Sequence, residues 1–189
     1  HSIDRIDGSK GYEPGNVRWT TAAVQQANRR LPKQGRWHNA ARYAYDVVRR
    51  FEQVLADYSG AKYAVTVESC TAALLIACQH LKVKTVEIPR FTYCGVGMSI
   101  LHAGGKVAFR DEDWIGSYQL KPYPIWDCAR HFTSGMYKPG SLMCVSFHWS
   151  KHLPIGRGGA ILFDDKNAIE WLKRARFDGR KEGRAPRND

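Results

Sequence analysis

Residues 143–163 read MCVSFHWSKHLPIGRGGAILF. Two apolar runs, Met143–Phe147 and Gly158–Phe163, flank a turn that carries Lys151 between Ser146, His148 and Ser150 on one side and Gly156, Gly158 and Gly159 on the other. Short continuous apolar runs bounded by turn residues predict strands covered on both faces, the kind found inside a layered α/β sheet. A lysine is most easily kept at the surface, so a turn between two such strands is an unusual place for one. One reading is an exposed loop lysine. The other is an amine held partly away from water for chemistry.

The same alternation extends outward. Ala44, Val47, Val48, Phe51, Val54, Leu55 and Tyr58 recur at helical spacing and predict an amphipathic helix over 40–58. Then follow a strand at 63–67 (YAVTV), a helix at 70–81, a strand at 85–89 (TVEIP) and a helical stretch over 93–104. Further strands are expected at KVAF (106–109), PIWD (124–127) and the two runs around Lys151, with a closing helix NAIEWLKRAR (167–176). Short apolar strands alternating with helices predict an α/β fold with a mainly parallel sheet covered on both faces.

The chain has 189 residues, 43% hydrophobic and 25% charged, with a net charge of +11. That charge is concentrated at the ends: residues 1–50 carry ten Lys/Arg against four Asp/Glu, and 166–189 carry eight against four. Residues 51–165 carry eleven against ten, so the body offers no polyanion platform. The five cysteines (Cys70, Cys78, Cys94, Cys128, Cys144) include no CxxC pair and lie mostly in apolar runs, which reads as reduced, buried thiols of a cytoplasmic protein. No apolar run is long enough for a membrane span, and no membrane partner is expected.

The order of segments carries a more specific signal. FEQVLADYSGAKYAVTVESCTAAL precedes IPRFTYCGVGMSILHAGGKVAF, then IWDCARHF, then SFHWSKHLPIGRGGAI. Over about residues 40–183 this series resembles the DegT/DnrJ/StrS family of pyridoxal-phosphate sugar aminotransferases. The resemblance implies the large domain of the aspartate-aminotransferase fold type and transfer of an amino group, from glutamate, to a keto-sugar nucleotide. It places Lys151 where the family's Schiff-base lysine stands. Asp127 falls at the carboxylate that keeps the cofactor's pyridine nitrogen protonated. Ser69, Cys70 and Thr71, at a strand-to-helix junction, match the phosphate-binding turn, and Ser146 matches a further phosphate-contacting hydroxyl. Tyr93 matches the aromatic stacked on the ring, with plain core packing as its alternative reading. Arg130 falls at the cofactor-side position after Asp-Cys-Ala. A nucleotide-sugar, an amino-acid donor and a second copy of the chain, as a homodimer, are the implied partners.

Departures from that pattern are equally specific. Arg130 replaces a glutamine, Arg157 a glutamate and Cys70 a glycine. The two arginines add positive charge beside the site, which suits anionic groups. About fifteen residues, Arg110–Pro124, separate the strand at 106–109 from the one that ends at Asp127, where the family has a further β–α unit. A helical crossover needs at least ~10–12 residues, so one such connection just fits and a full extra unit does not. In the resembled family a smaller C-terminal domain follows the lysine-bearing segment, so residues 40–189 are expected to form a truncated large domain without it.

Residues 1–31 differ in kind. SIDRIDGSKGYEPGNVRWTTAAVQQANRR resembles the ββα-metal (HNH) segment of phage-type endonucleases, with strands at 2–6 and 17–20 and a helix starting at Thr20 or Thr21. That resemblance makes Asp4, Asn16 and Gln26 candidate Mg²⁺ ligands. Arg5, at the position of the usual general-base histidine, cannot accept a proton at neutral pH. The alternative function is therefore a metal-dependent nuclease or a DNA-binding fusion, with a catalytically inactive aminotransferase-like scaffold and salt-dependent, nonspecific DNA contact through residues 1–36. Residues 32–39, with Pro32 and Gly35, read as a linker, leaving 40–189 as the aminotransferase-like domain.

Overall fold

The computed structural model describes residues 2–5, 15, 17–20 and 36–182. The chain divides into two units, 1–40 and 41–189. In the first, β1 (Ser2–Arg5) and β2 (Val17–Thr20) pair antiparallel, with Asp4 opposite Arg18. The expected helix after Thr20, together with Asn16 and Gln26, lies outside the described residues.

Helix α1 spans Arg36–Ser59 and begins inside the stretch read as a linker. It stops where Gly60 takes a left-handed conformation (φ 81°) and returns its N–H to the Ala56 carbonyl at 2.9 Å, a C-terminal turn that suits glycine. Beyond it lie β3 (Tyr63–Val67), α2 (Cys70–His80), β4 (Thr85–Pro89), α3 (Cys94–His102), β5 (Lys106–Arg110), β6 (Tyr118–Leu120), β7 (Ile125–Cys128), β8 (Leu142–Ser146), β9 (Gly159–Phe163) and α4 (Ala168–Ala175).

Five strands form one sheet in the order β3-β9-β8-β7-β6, and β4 and β5 form a parallel pair. A single antiparallel bridge between Glu87 and Lys121 joins β4 to the end of β6. The α/β expectation holds, but the sheet is mixed where a mainly parallel one was expected. β3, β4, β5, β7 and β8 run one way and β6 and β9 the other, so in the five-stranded sheet only β7–β8 pairs parallel. The reason is connection length. Residues 147–158 return β8 into β9 as a hairpin, fastened by Phe147 N–H to Gly158 O (2.9 Å) and Trp149 N–H to Gly156 O (3.2 Å). A parallel return would need a helical crossover that this loop does not contain. Likewise the stretch between β5 and β7 holds no helix; it holds β6, which turns back onto β7.

Strand parity shows why both faces read as apolar. Along β9, Ile161 and Phe163 belong to a core shared with Leu74 of α2 and Leu172 of α4. Ala160 and Leu162 pack instead with Leu55 and Ala56 of α1 and with Met143 and Val145 of β8. Successive strand side chains alternate faces, so a strand with helices on both sides must be apolar at every position. Each large side chain buried this way contributes ~1.5–3 kcal/mol.

One buried ionic cluster ties the edges together. The Glu52 carboxylate of α1, 5% exposed, accepts the Thr66 N–H of β3 at 2.8 Å and pairs with Arg176, just past α4. Arg176 also donates to the Thr66 carbonyl at 2.8 Å, and Lys173 lies 3.8 Å from Glu52. Breaking such a buried pair by removing one partner costs about 3–5 kcal/mol. Glu52 also occupies an N–H on the outer edge of β3, which would otherwise be open to pairing with another strand.

Candidate active site

The strand directions gather the chemistry at one end of the sheet. The C-terminal ends of β3, β4, β7 and β8 lead into Ser69, Tyr93, Asp127 and Ser146, and β9 starts at the same end with Gly159. Ligands of open α/β sheets sit at this edge because the loops and helix N-termini converge there. A cavity of about 630 Å³ opens at it. Seven of the eight residues expected at the site line it: Ser69, Cys70, Thr71, Tyr93, Asp127, Ser146 and Lys151. Arg130 does not. It lines a neighbouring cavity of about 1040 Å³ with Phe91, Trp114, His131 and His152, and Ser150 and Lys151 form the wall common to both.

Glycines set the cavity walls. Helix α2 is capped by Ser69, whose Oγ accepts the Ala72 N–H at 3.0 Å. The amides of Cys70 and Thr71 find no acceptor among the described residues. This helix start rests directly on β9. A Cβ on Gly159 would lie 2.6 Å from Cys70 N and from the Ser69 carbonyl carbon. Across the cavity, a Cβ on Gly95 would lie 2.5 Å from Cε1 of Tyr93, so the absent side chain is the space in which the tyrosine ring lies. Tyr93 is 69% exposed at the start of α3, which sets aside the core-packing alternative.

Lys151 is half-buried, and its backbone N–H closes a turn to the His148 carbonyl at 2.9 Å. The His148 ring Nδ1 and the Ser150 hydroxyl, 2.9 Å apart, brace the same turn. Cys70, which replaces a glycine in the resembled pattern, is buried. Its thiol lies 3.4 Å from the Cys144 carbonyl and 3.9 Å from Asp127 Oδ1. Burial pushes the Cys70 and Cys144 thiols well up, and Cys78 and Cys128 up to about 12, so these four stay protonated. All five cysteines are free; Cys94 differs from the expectation in being exposed.

Asp127 is 6% exposed at the cavity floor. Its Oδ2 accepts from the Tyr118 hydroxyl at 2.8 Å and its Oδ1 from the Ala129 N–H at 2.9 Å. Burial raises its pKa, against the lowering pull of those two hydrogen bonds and the Lys151 charge. The other buried acid, Glu52, has Arg176 and Lys173; Asp127 has no ion pair among the described residues. A buried carboxylate with no ion pair of its own among the described residues, facing a cavity, fits a ligand that carries a protonated ring nitrogen there. The remaining lining suits the rest of such a ligand: unpaired helix-start amides and hydroxyls for a phosphate, an amine for an aldehyde and an aromatic ring for stacking.

A raised folded pKa has a definite sign in stability. Between the ordinary aspartate value of about 3.9 and the raised one, the folded state binds the proton more tightly than the unfolded chain. Stability is therefore lost as pH rises through that window and stays reduced above it. Asp127→Asn is expected to melt at a higher temperature than the unliganded parent at pH 7, the gap closing towards about pH 3. Thermal melts at several pH values check it; a lower melting point at pH 7 would contradict the assignment. The Tyr118 hydroxyl can reverse, accept from the new amide and donate to Thr92, so no polar group is stranded.

Tyr118, Thr92, Gly95 and Gly159 stand directly behind or against the cavity lining, and the sequence pattern did not single them out for these roles. Gly159 alone had a signal, as the second glycine of the GG pair. Tyr118 sits in the shortened connection, where no pattern pointed to it.

Fold and site together describe an α/β domain with a cofactor-sized cavity at the strand ends. Residues 25–136 match the DegT/DnrJ/EryC1/StrS aminotransferase family, and the chain belongs to that family. It is 26% identical over 178 residues to the UDP-4-amino-4,6-dideoxy-N-acetyl-beta-L-altrosamine transaminase of Campylobacter jejuni, covering 70% of this chain and 47% of that protein. It is 33% identical over 178 residues to an uncharacterized protein of Methanocaldococcus jannaschii, covering 69% and 45%. Among solved structures, a DegT DnrJ EryC1 StrS aminotransferase from Brucella abortus superposes with a TM-score of 0.60 at 18% identity, covering 80% of this chain and 57% of that one. DesV of S. venezuelae, in complex with a ketimine intermediate, gives 0.59 at 18% identity, covering 76% and 54%. The chain spans about half the length of the curated relatives it matches. No helix among the described residues is long and apolar enough to cross a membrane.

Proposed function

We propose that this chain carries the cofactor-binding half of a pyridoxal-phosphate aminotransferase, which moves an amino group from an amino acid, glutamate, to a keto-sugar nucleotide. The observation that carries the reading is the buried Asp127, without an ion pair among the described residues, in one cavity with Lys151 and the start of α2. When bound, pyridoxal phosphate supplies an electron-withdrawing ring that stabilises negative charge at the substrate carbon. Asp127 holds positive charge at the ring nitrogen. The amides of Cys70 and Thr71, with the Ser69, Thr71 and Ser146 hydroxyls, bind the phosphate. Tyr93 covers one face of the ring. The Lys151 amine would hold the cofactor at its aldehyde and would be the group placed to move a proton at the substrate carbon.

The nucleotide-sugar is assigned to the wider cavity beyond Lys151, whose lining includes Arg130, His131, His152, Phe91 and Trp114 together with the carboxylates Glu112 and Asp113. Exposed Phe91, Ile115 and Trp149 near the two cavities support a homodimer that closes them. Five free cysteines support a cytoplasmic setting.

The test is to mix the full chain with pyridoxal 5′-phosphate, remove free cofactor by gel filtration and record the spectrum. A protein-bound absorption band is expected. Its absence from the folded chain overturns the reading.

A nuclease role for residues 1–31 is a second reading, favoured by the antiparallel β1–β2 pair that a ββα segment requires and by the family match beginning only at residue 25. Asp4 stands on β1; Asn16 and Gln26 are outside the described residues. Nicking of duplex DNA with Mg²⁺ that disappears in Asp4→Ala is the result this reading expects. An absence of nicking leaves only electrostatic DNA contact.

A further inference from the structure

The shortened connection between β5 and β7 places a residue on Asp127 from behind. Strand β6 lies antiparallel to β7 with Tyr118 directly opposite Asp127. Tyr118 is 2% exposed, and its hydroxyl makes two short contacts: to Asp127 Oδ2 at 2.8 Å and to the Thr92 hydroxyl at 2.5 Å. A phenol has one proton to give. With the phenol O–H donating to the carboxylate, Thr92 donates to the phenol oxygen, and the chain runs Thr92 to Tyr118 to Asp127. Thr92 immediately precedes Tyr93, which lines the cavity.

The strand that carries Tyr118 is held on its outer side. Arg110 donates to the Gln119 carbonyl at 2.8 Å and to the Glu87 carbonyl of β4, and it pairs with Glu112. The Glu87–Lys121 bridge adds two backbone hydrogen bonds, and the Trp114 ring packs on Tyr118 with centroids 4.8 Å apart. A guanidinium and one bridge thus do the fastening that a longer ladder would otherwise provide.

We propose that Tyr118 is a positioning residue: it fixes the Asp127 carboxylate in the plane facing the cavity and couples it, through Thr92, to the loop that carries Tyr93. This rests on the reading of Asp127 as the partner of a ring nitrogen. The groups around Asp127 are Tyr118 on β6, Cys70 on α2, Lys151 on the β8–β9 loop, Cys144 on β8 and its own neighbour Cys128. Of these, Tyr118 donates at the shortest distance, and its own proton is held firmly by burial.

The experiment has two readouts on the full chain. The first follows the Asp127 carboxyl by ¹³C NMR in the unliganded protein, assigned with Asp127→Asn. In Tyr118→Phe, which removes only the hydroxyl, the midpoint is expected to move upward, because the charged form loses a hydrogen bond. Thr92→Val is expected to move it the same way by less. The second readout is pyridoxal 5′-phosphate affinity, with the dissociation constant in Tyr118→Phe rising about tenfold, the usual scale for one hydrogen bond to a charged group. An unmoved midpoint in folded Tyr118→Phe overturns the proposal. If that variant does not fold, an unmoved midpoint in Thr92→Val overturns it. A parent chain that binds no pyridoxal phosphate defeats the functional reading instead, while the carboxyl titration still decides the role of Tyr118.

Discussion

In Lys151→Ala the protein-bound absorption band is expected to vanish, and the affinity for pyridoxal phosphate to fall at least tenfold, while the chain stays folded. The turn that presents this lysine is built from the backbone, Lys151 N–H to His148 O, and from the His148–Ser150 contact, so the side chain is not needed to form it. Its removal deletes a half-buried amine that makes no ion pair among the described residues. Folding stability should therefore change by no more than about 0.5 kcal/mol, the range of substitutions away from structural features. A tenfold loss of affinity is about 1.4 kcal/mol, the least that a lost covalent attachment should cost. There is a second, independent signature. The Lys151 charge is among the effects that lower the Asp127 pKa, so the alanine variant should push that carboxyl still higher. An unchanged band in Lys151→Ala would mean that pyridoxal phosphate sits at another lysine.

Gly159→Ala is expected to destabilise the chain by about 3 kcal/mol and to abolish pyridoxal phosphate binding, as read by denaturant unfolding and by the same spectrum. The added Cβ meets Cys70 N and the Ser69 carbonyl carbon at 2.6 Å and Ser69 O at 2.8 Å. All three are backbone atoms of a capped helix start, and none can rotate out of the way. Either β9 or α2 must move, and overpacking of a tight interior at this scale costs about 1–3 kcal/mol. The shift displaces the unpaired amides of α2, which is why binding should go with it. Gly95→Ala is the control. Its nearest contact is equally close, 2.5 Å, but lies on the Tyr93 ring, and that ring is 69% exposed and free to swing. That variant should keep its stability and lose only the placement of the ring. Equal stability losses in both variants would show that the α2–β9 contact is not the tight one.

Much of this was legible along the chain because its signals are local. The apolar runs at 63–67, 85–89, 143–147 and 158–163 became β3, β4, β8 and β9 within a residue of their expected bounds. Asp127, at the end of an apolar run, could be suspected because burying a carboxylate is costly wherever it happens. Arg130 shows the limit. Its neighbours in sequence, Asp127 and Ala129, line one cavity, while the turn after β7 sends Arg130 to the other. No periodicity encodes that choice.

The alternation of strands and helices, the two apolar faces of β9 and the ordered series of segments that places the chain in its family are all written along the chain. Spacing along the chain fixes which residues alternate across a strand or recur along a helix, and those patterns need no partner to be read. The direction of the ladders, the replacement of a helical crossover by β6 and the presence of Tyr118 behind Asp127 emerge only once the chain is folded. Those depend on which strands become neighbours, and a residue such as Tyr118 gains its role from a partner nine positions away that a different turn would have placed elsewhere.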